Sequence, residues 1–68
     1  MHESVYKIIE VVGTSQKSWE EAAKFAIETA SHTLKDLRIA EVIKQDVKID
    51  GKTLLFRTSL RLSFKYHE

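Results

Sequence analysis

The Asp50-Gly51 dipeptide constrains this chain more than any other feature, because it separates two long runs of β-type residues. A type I′ turn needs positive φ at both central residues, and Asp-Gly accommodates that readily. Residues 38–50 and 53–66 therefore read as the two arms of an antiparallel hairpin. The second arm alternates cleanly. Leu54, Phe56, Thr58, Leu60, Leu62, Phe64 and Tyr66 point one way; Leu55, Arg57, Ser59, Arg61, Ser63 and Lys65 point the other. Such alternation marks a strand with one buried face. The first arm does not hold one phase. A two-residue turn at Asp50-Gly51 sets Val47 opposite Leu54 and Ile43 opposite Thr58, but it also brings Glu41 against Leu60. A bulge near residues 43–46 repairs this. It returns Ala40 and Val42 to the core and turns Ile39 and Glu41 away from it.

Upstream of the hairpin, residues 5–12 are rich in β-branched types and are followed by Gly13-Thr14-Ser15, which reads as a strand and its exit turn. Ser18 and Glu21 then have the spacing of a capping box, hydroxyl to amide in one direction and carboxylate to amide in the other. Trp19, Ala22, Ala23, Ala26, Ile27, Ala30, Leu34 and Leu37 follow at three- and four-residue intervals. This is one apolar stripe on a helix of about 17–19 residues. Its alanines keep it shallow, so it can approach a sheet closely. The order strand–helix–strand–strand predicts an α+β fold of one domain over residues 1–68. The expected sheet has three antiparallel strands, the last between the first and second, with the helix on one face.

A chain of 68 residues buries only about 60% of the surface its unfolded form exposes, and scaffolds of this size usually need a staple. The chain has no cysteine, which removes disulfides, thiolate zinc sites, iron–sulfur ligation and thiol catalysis together. Oligomerisation is the remaining staple. The helix leaves one sheet face uncovered, carrying Ile39 and Leu55. Phe25 lies about 140° from the centre of the apolar stripe, among Glu21, Glu28 and His32. Phe25, Ile39 and Leu55 are thus candidate subunit contacts. A net charge of +1 offers no basic footprint for nucleic acid. No apolar run is long enough to span a membrane and no signal layout opens the chain, so a cytoplasmic protein is expected.

Catalytic and metal motifs are weak. His2, His32 and His67 have no ligand-pair spacing and read as solvated. Gly13-Thr14-Ser15 lacks the further glycines and the lysine of a phosphate loop. Asp46, Asp50 and Gly51 match positions of a calcium loop, but Lys48 and Arg57 fall where carboxylates are required. No nucleophile–base spacing supports an enzyme. Arg57, Arg61 and Lys65 form a basic row on the outward face of the last strand. It reads either as a salt-bridged face, with Glu10, Glu41 and Asp46 as partners, or as a grip on an anionic ligand.

These residues together resemble the dodecin family. The marks are a first strand running into Val12, Gly13, Thr14 and Ser15, a capped alanine-rich helix opening at Ser18, Trp19 and Glu20, the segment Ile39-Ala40-Glu41-Val42, and the ending Leu60 to Phe64. The resemblance covers nearly the whole chain. It implies a β-α-β-β subunit whose sheet partly wraps the helix, and a hollow homododecamer that stores or sequesters FMN or riboflavin without catalysis. In that family a tryptophan of the second strand stacks on the flavin and a glutamine of the last strand hydrogen-bonds its ring. Those positions fall here at Ile39 and Arg57. Ile39 offers no aromatic face, and Arg57 only donates. Two readings follow. One is a shell holding a flavin or another phosphorylated small molecule, with Arg57 on the anion and Ile39 as an apolar wall. The other is a shell binding Ca²⁺ or Mg²⁺, or serving structurally, where symmetry turns Glu20, Glu41 or Asp46 into a carboxylate ring.

Overall fold

The computed structural model describes residues 3–66, so His2 and His67 lie outside the described residues. Four elements follow in order: β1 (Tyr6–Ser15), α1 (Trp19–Ala30), β2 (Leu37–Asp50) and β3 (Thr53–Lys65). The sheet is antiparallel in the order β1-β3-β2, which puts β3 between the other two, as expected.

The hairpin forms, with its turn one residue later than the dipeptide suggested. Asp50 pairs with Thr53, so Gly51 and Lys52 make the loop, and positive φ is confined to Gly51 at 61°. A glycine at the first loop position is the arrangement of a type II′ turn, not type I′. The pairing sets Val47 against Phe56 and Gln45 against Thr58. Relative to the expected register this is a slip of two residues, which leaves every side chain on its expected face. The bulge falls between Val42 and Lys44, and a second irregularity lies between Leu37 and Ile39. Ala40 and Val42 consequently stand opposite Leu62 and Leu60. They share the core face without being buried, because the helix does not extend over β2: Val42 remains 51% exposed.

Two further expectations are corrected. Gly13, Thr14 and Ser15 belong to β1 and pair with Thr58, Arg57 and Phe56; they are not an exit turn. The helix has 12 residues and stops at Ala30. The Ser31 hydroxyl donates to the Glu28 carbonyl at 2.7 Å, a local bond that competes with the helical ladder. Thr33 and Leu34 then both donate to the Ala30 carbonyl, and Asp36 takes a positive φ of 60° before β2 begins. Leu34 and Leu37 continued the helical period in sequence, yet Leu37 opens β2 and packs on the core from there. At the helix start, the Glu21 amide donates to Ser18 Oγ at 3.0 Å.

The core is narrow. Ala22, Ala26, Leu60 and Leu62 are buried, with Ile9, Val11, Ala23, Ile27, Ala30 and Leu37 packed around Ala26 and the two leucines. Thr58 is buried among them and donates its hydroxyl to the Trp19 carbonyl at 2.9 Å. Beyond the start of the helix, toward the hairpin turn, the inward-facing pair Ile49 and Leu54 has no cover from this protomer, and Ile49 is 75% exposed. Among the described residues no helix is long and apolar enough to cross a membrane.

Candidate functional site

The face of the sheet turned away from α1 carries the candidate residues in cross-strand rows. Cross-strand pairing puts Ile8 and Ile39 on either side of Ser63, Glu10 and Glu41 on either side of Arg61, and Thr14 and Asp46 on either side of Arg57. Ile39 and Glu41 therefore point away from the helix, as the bulge requires. Lys44 neighbours Ser59 between the two arginine rows.

Arg57 binds Asp46 through two of its five N–H donors. Its Nε donates to Asp46 Oδ1 at 2.7 Å and its Nη2 to Oδ2 at 2.8 Å, a bidentate fork. Lys44 Nζ approaches the same carboxylate at 3.7 Å. The Arg57 hydrogen bond holds the Asp46 carboxyl below the usual carboxylate value, aided by the charges of Arg57 and Lys44 and opposed by partial desolvation. The same contact raises the guanidinium of Arg57 above its ordinary value. Asp46 is further fixed through its main chain, because Trp19 Nε1 donates to the Asp46 carbonyl at 3.0 Å. The Trp19 ring meets Phe56 edge to face, with centroids 5.1 Å apart. Trp19 is thus a packing and tethering residue on the core side, and the strand it tethers presents Asp46 on the other side.

Arg61 sits more loosely between two acids, with Glu10 at 3.4 Å and Glu41 at 3.5 Å. The basic row is therefore salt-bridged at Arg57 and Arg61, to the three acids that share its face. Ile39 and Arg57 do not come together: their β3 neighbours, Ser63 and Arg57 itself, are six residues apart, roughly 20 Å at about 3.3 Å per residue. Glu20 lies in the first turn of α1, whereas Glu41 and Asp46 are on β2. Among the described residues no three acidic or histidine side chains gather as a metal site within the protomer. Of the expected contact residues, Phe25 is 62% and Ile39 65% exposed, while Leu55 is half-buried. Sequence reasoning missed Ile49, which is exposed because the hairpin runs past the start of the helix: Trp19, the first residue of α1, reaches only as far as Asp46 and Phe56.

A family model described as Dodecin matches residues 5–67. A curated relative, the calcium dodecin of Mycobacterium tuberculosis, is 47% identical over 64 residues, covering 91% of this chain and 89% of the relative. A crystal structure of a calcium dodecin from M. tuberculosis, described as calcium-chelating with a novel calcium-binding site, superposes with a TM-score of 0.87 at 43% identity. That match covers 94% of this chain and 93% of the other. The dodecin of Streptomyces coelicolor superposes with a TM-score of 0.92 at 32% identity, over 100% and 99% of the two chains. The strand–helix–hairpin order, the central β3 and the extent of these matches agree, and the chain belongs to the dodecin family.

Proposed function

We propose that this chain is a self-assembling dodecin shell that binds a divalent cation of the calcium type, with no catalytic role. The observation that carries the choice of ligand is the closed Arg57–Asp46 fork, on the same sheet face as an aliphatic Ile39. Where the family resemblance puts a hydrogen-bonding glutamine and a stacking tryptophan, this chain has a guanidinium already bound to its own carboxylate and an aliphatic side chain. The similarity to a calcium dodecin supports the cation reading from a second direction.

Self-association follows from what the protomer leaves uncovered. Phe25, Ile39 and Ile49 are each more than 60% exposed, on the helix, the outer sheet face and the hairpin end, and Leu55 adds to the outer face. Burial of such side chains is worth about 1.5–3 kcal/mol each, and a 68-residue core has little else to draw on. Carboxylates from several protomers then supply what one protomer lacks, because hard cations take six to eight oxygen ligands. Glu20, which the ion pairs of the described residues do not involve, is the first candidate. Glu41, shared loosely through Arg61, is the second. Asp46 is committed to Arg57.

A thermal melt at fixed protomer concentration, in EDTA and with added Ca²⁺ or Mg²⁺, tests this directly. A ligand that binds only the folded assembly raises its midpoint. The reading fails if Ca²⁺ leaves the midpoint unchanged. One observation keeps a flavin reading in play: Ile8 and Ile39 form an exposed apolar pair around Ser63, able to receive a planar ring. Quenching of riboflavin or FMN fluorescence by the unsubstituted protein at micromolar concentrations would favour that reading over the cation.

A further inference from the structure

We propose that Asp46 is a built-in anion seated in what would otherwise be an anion site, and that it excludes phosphate-bearing ligands from Arg57. The groups around its carboxylate are those that hold phosphate elsewhere: a guanidinium fork at 2.7 and 2.8 Å and an ammonium at 3.7 Å. Thr14 flanks Arg57 across the sheet, and Ser59 lies beside Lys44 on the same face, so two hydroxyl-bearing residues share the surroundings.

The carboxylate has an advantage that a free ligand lacks. Its backbone is fixed in β2 by pairing with β3 and by the Trp19 indole, so it is held against Arg57 without loss of translational freedom. A phosphate in solution would have to displace it and would then meet a carboxylate left beside its own negative charge. With Asp46 present, the Arg57–Lys44–Asp46 group has a net charge of +1; with a neutral residue at position 46 it has +2. Asp46 thus acts as a specificity-determining residue, turning this patch from anion-accepting to anion-rejecting. This inference rests on the cation reading for its biological meaning, since a shell that selects cations gains by closing its basic patches.

The test compares the unsubstituted protein with Asp46→Asn and Asp46→Ser, in thermal melts and calorimetric titrations with inorganic phosphate at constant ionic strength. The Trp19 bond goes to the main-chain carbonyl of Asp46, so both variants retain it, and Trp19 fluorescence reports its survival. Both variants are expected to bind inorganic phosphate at least tenfold more tightly than the parent, and to favour FMN over riboflavin, which differ by one phosphate. Adding Lys44→Met to either variant should remove most of the gain. Equal phosphate response in parent and variants overturns the inference, as does a folded variant with no gain. A measurement on the parent alone guards against misfolded variants: the Arg57 Nε resonance should not move with millimolar phosphate, and a saturable shift overturns the proposal. The calcium response of the parent is a separate readout, so failure of the cation reading and failure of this inference are distinguishable.

Discussion

Gly13 lies directly beneath Ala22, so close that a Cβ added to it would overlap the Ala22 carbonyl oxygen. The same atom would come within 2.8 Å of the Ala26 Cβ. This contact sets the distance between α1 and β1, and both partners in it are backbone or a single methyl. Neither can rotate away. Gly13→Ala should therefore lift the helix from the sheet and destabilise the fold by about 1–3 kcal/mol, the usual range for overpacking. For a domain of this size, each 1 kcal/mol moves the melting midpoint by about 4–8 °C. A melt at fixed protomer concentration checks it; an unchanged midpoint would mean that the helix is not seated on this glycine.

Thr58 ties the middle of β3 to the start of α1. Its buried hydroxyl donates to the Trp19 carbonyl in the first helical turn, while the Trp19 indole reaches β2. Thr58→Val keeps the shape and removes one hydrogen bond, which costs about 0.5–1.5 kcal/mol. Trp19→Phe removes the bond to the Asp46 carbonyl and should cost a similar amount. The two residues share one network, so the double variant should lose less than the sum of the single losses. Strict additivity in denaturant titrations would show that the two bonds act independently.

The same small core explains which parts of the structure were legible in the sequence. The alternation of β3, the capping serine and the bulge in β2 each rest on local rules, and each appears. The helix end does not follow its apolar period. Leu34 and Leu37 keep the spacing, but Ser31 bonds back to Glu28 and the chain leaves the helix there. Gly13 reads as a turn residue in sequence; in the fold its missing side chain serves a tertiary contact, which no window of neighbours reveals. The salt-bridged face was legible once the strand phases were known, because Glu10, Glu41 and Asp46 share it with Arg57 and Arg61. A cation site of the kind proposed is a different matter, since ligands drawn from several protomers would leave no spacing in one chain.

Acid should weaken the β2–β3 tie through Asp46. The folded-state pKa of this carboxyl is depressed by the Arg57 hydrogen bond, relative to a reference value of 3.8. A depressed folded-state pKa contributes stability that is present above the reference value and is lost as pH falls through the folded value. The contribution should therefore be constant from neutral pH down to about 3.8 and disappear below it. Asp46→Asn lacks the ionised partner at every pH. The difference in midpoint between parent and Asp46→Asn should then narrow only below that pH. A difference already closing near pH 6 would point to another titrating group.

Placing at positions 39 and 57 the residues that the family resemblance implies there should strengthen flavin binding, if the pocket otherwise remains. Ile39→Trp supplies an aromatic face; an aromatic pair is worth about 0.5–1.5 kcal/mol beyond the area it buries. Arg57→Gln supplies an acceptor as well as donors, which the guanidinium cannot. It also releases Asp46, leaving Lys44 as its neighbour at 3.7 Å. Each 1.4 kcal/mol is a tenfold change in affinity, so the aromatic face alone should strengthen riboflavin binding by about two- to tenfold over the parent, with the added acceptor contributing further. Riboflavin is the better probe than FMN, because it carries no phosphate to confuse ring recognition with the anion selectivity of Asp46. Fluorescence quenching measures the gain, and light scattering shows whether the assembly is intact. Quenching equal to that of the parent, in an assembly of unchanged mass, would locate the difference between this shell and a flavin-binding one outside these two positions. Ile8 would then be the next place to look, since it lies across Ser63 from position 39.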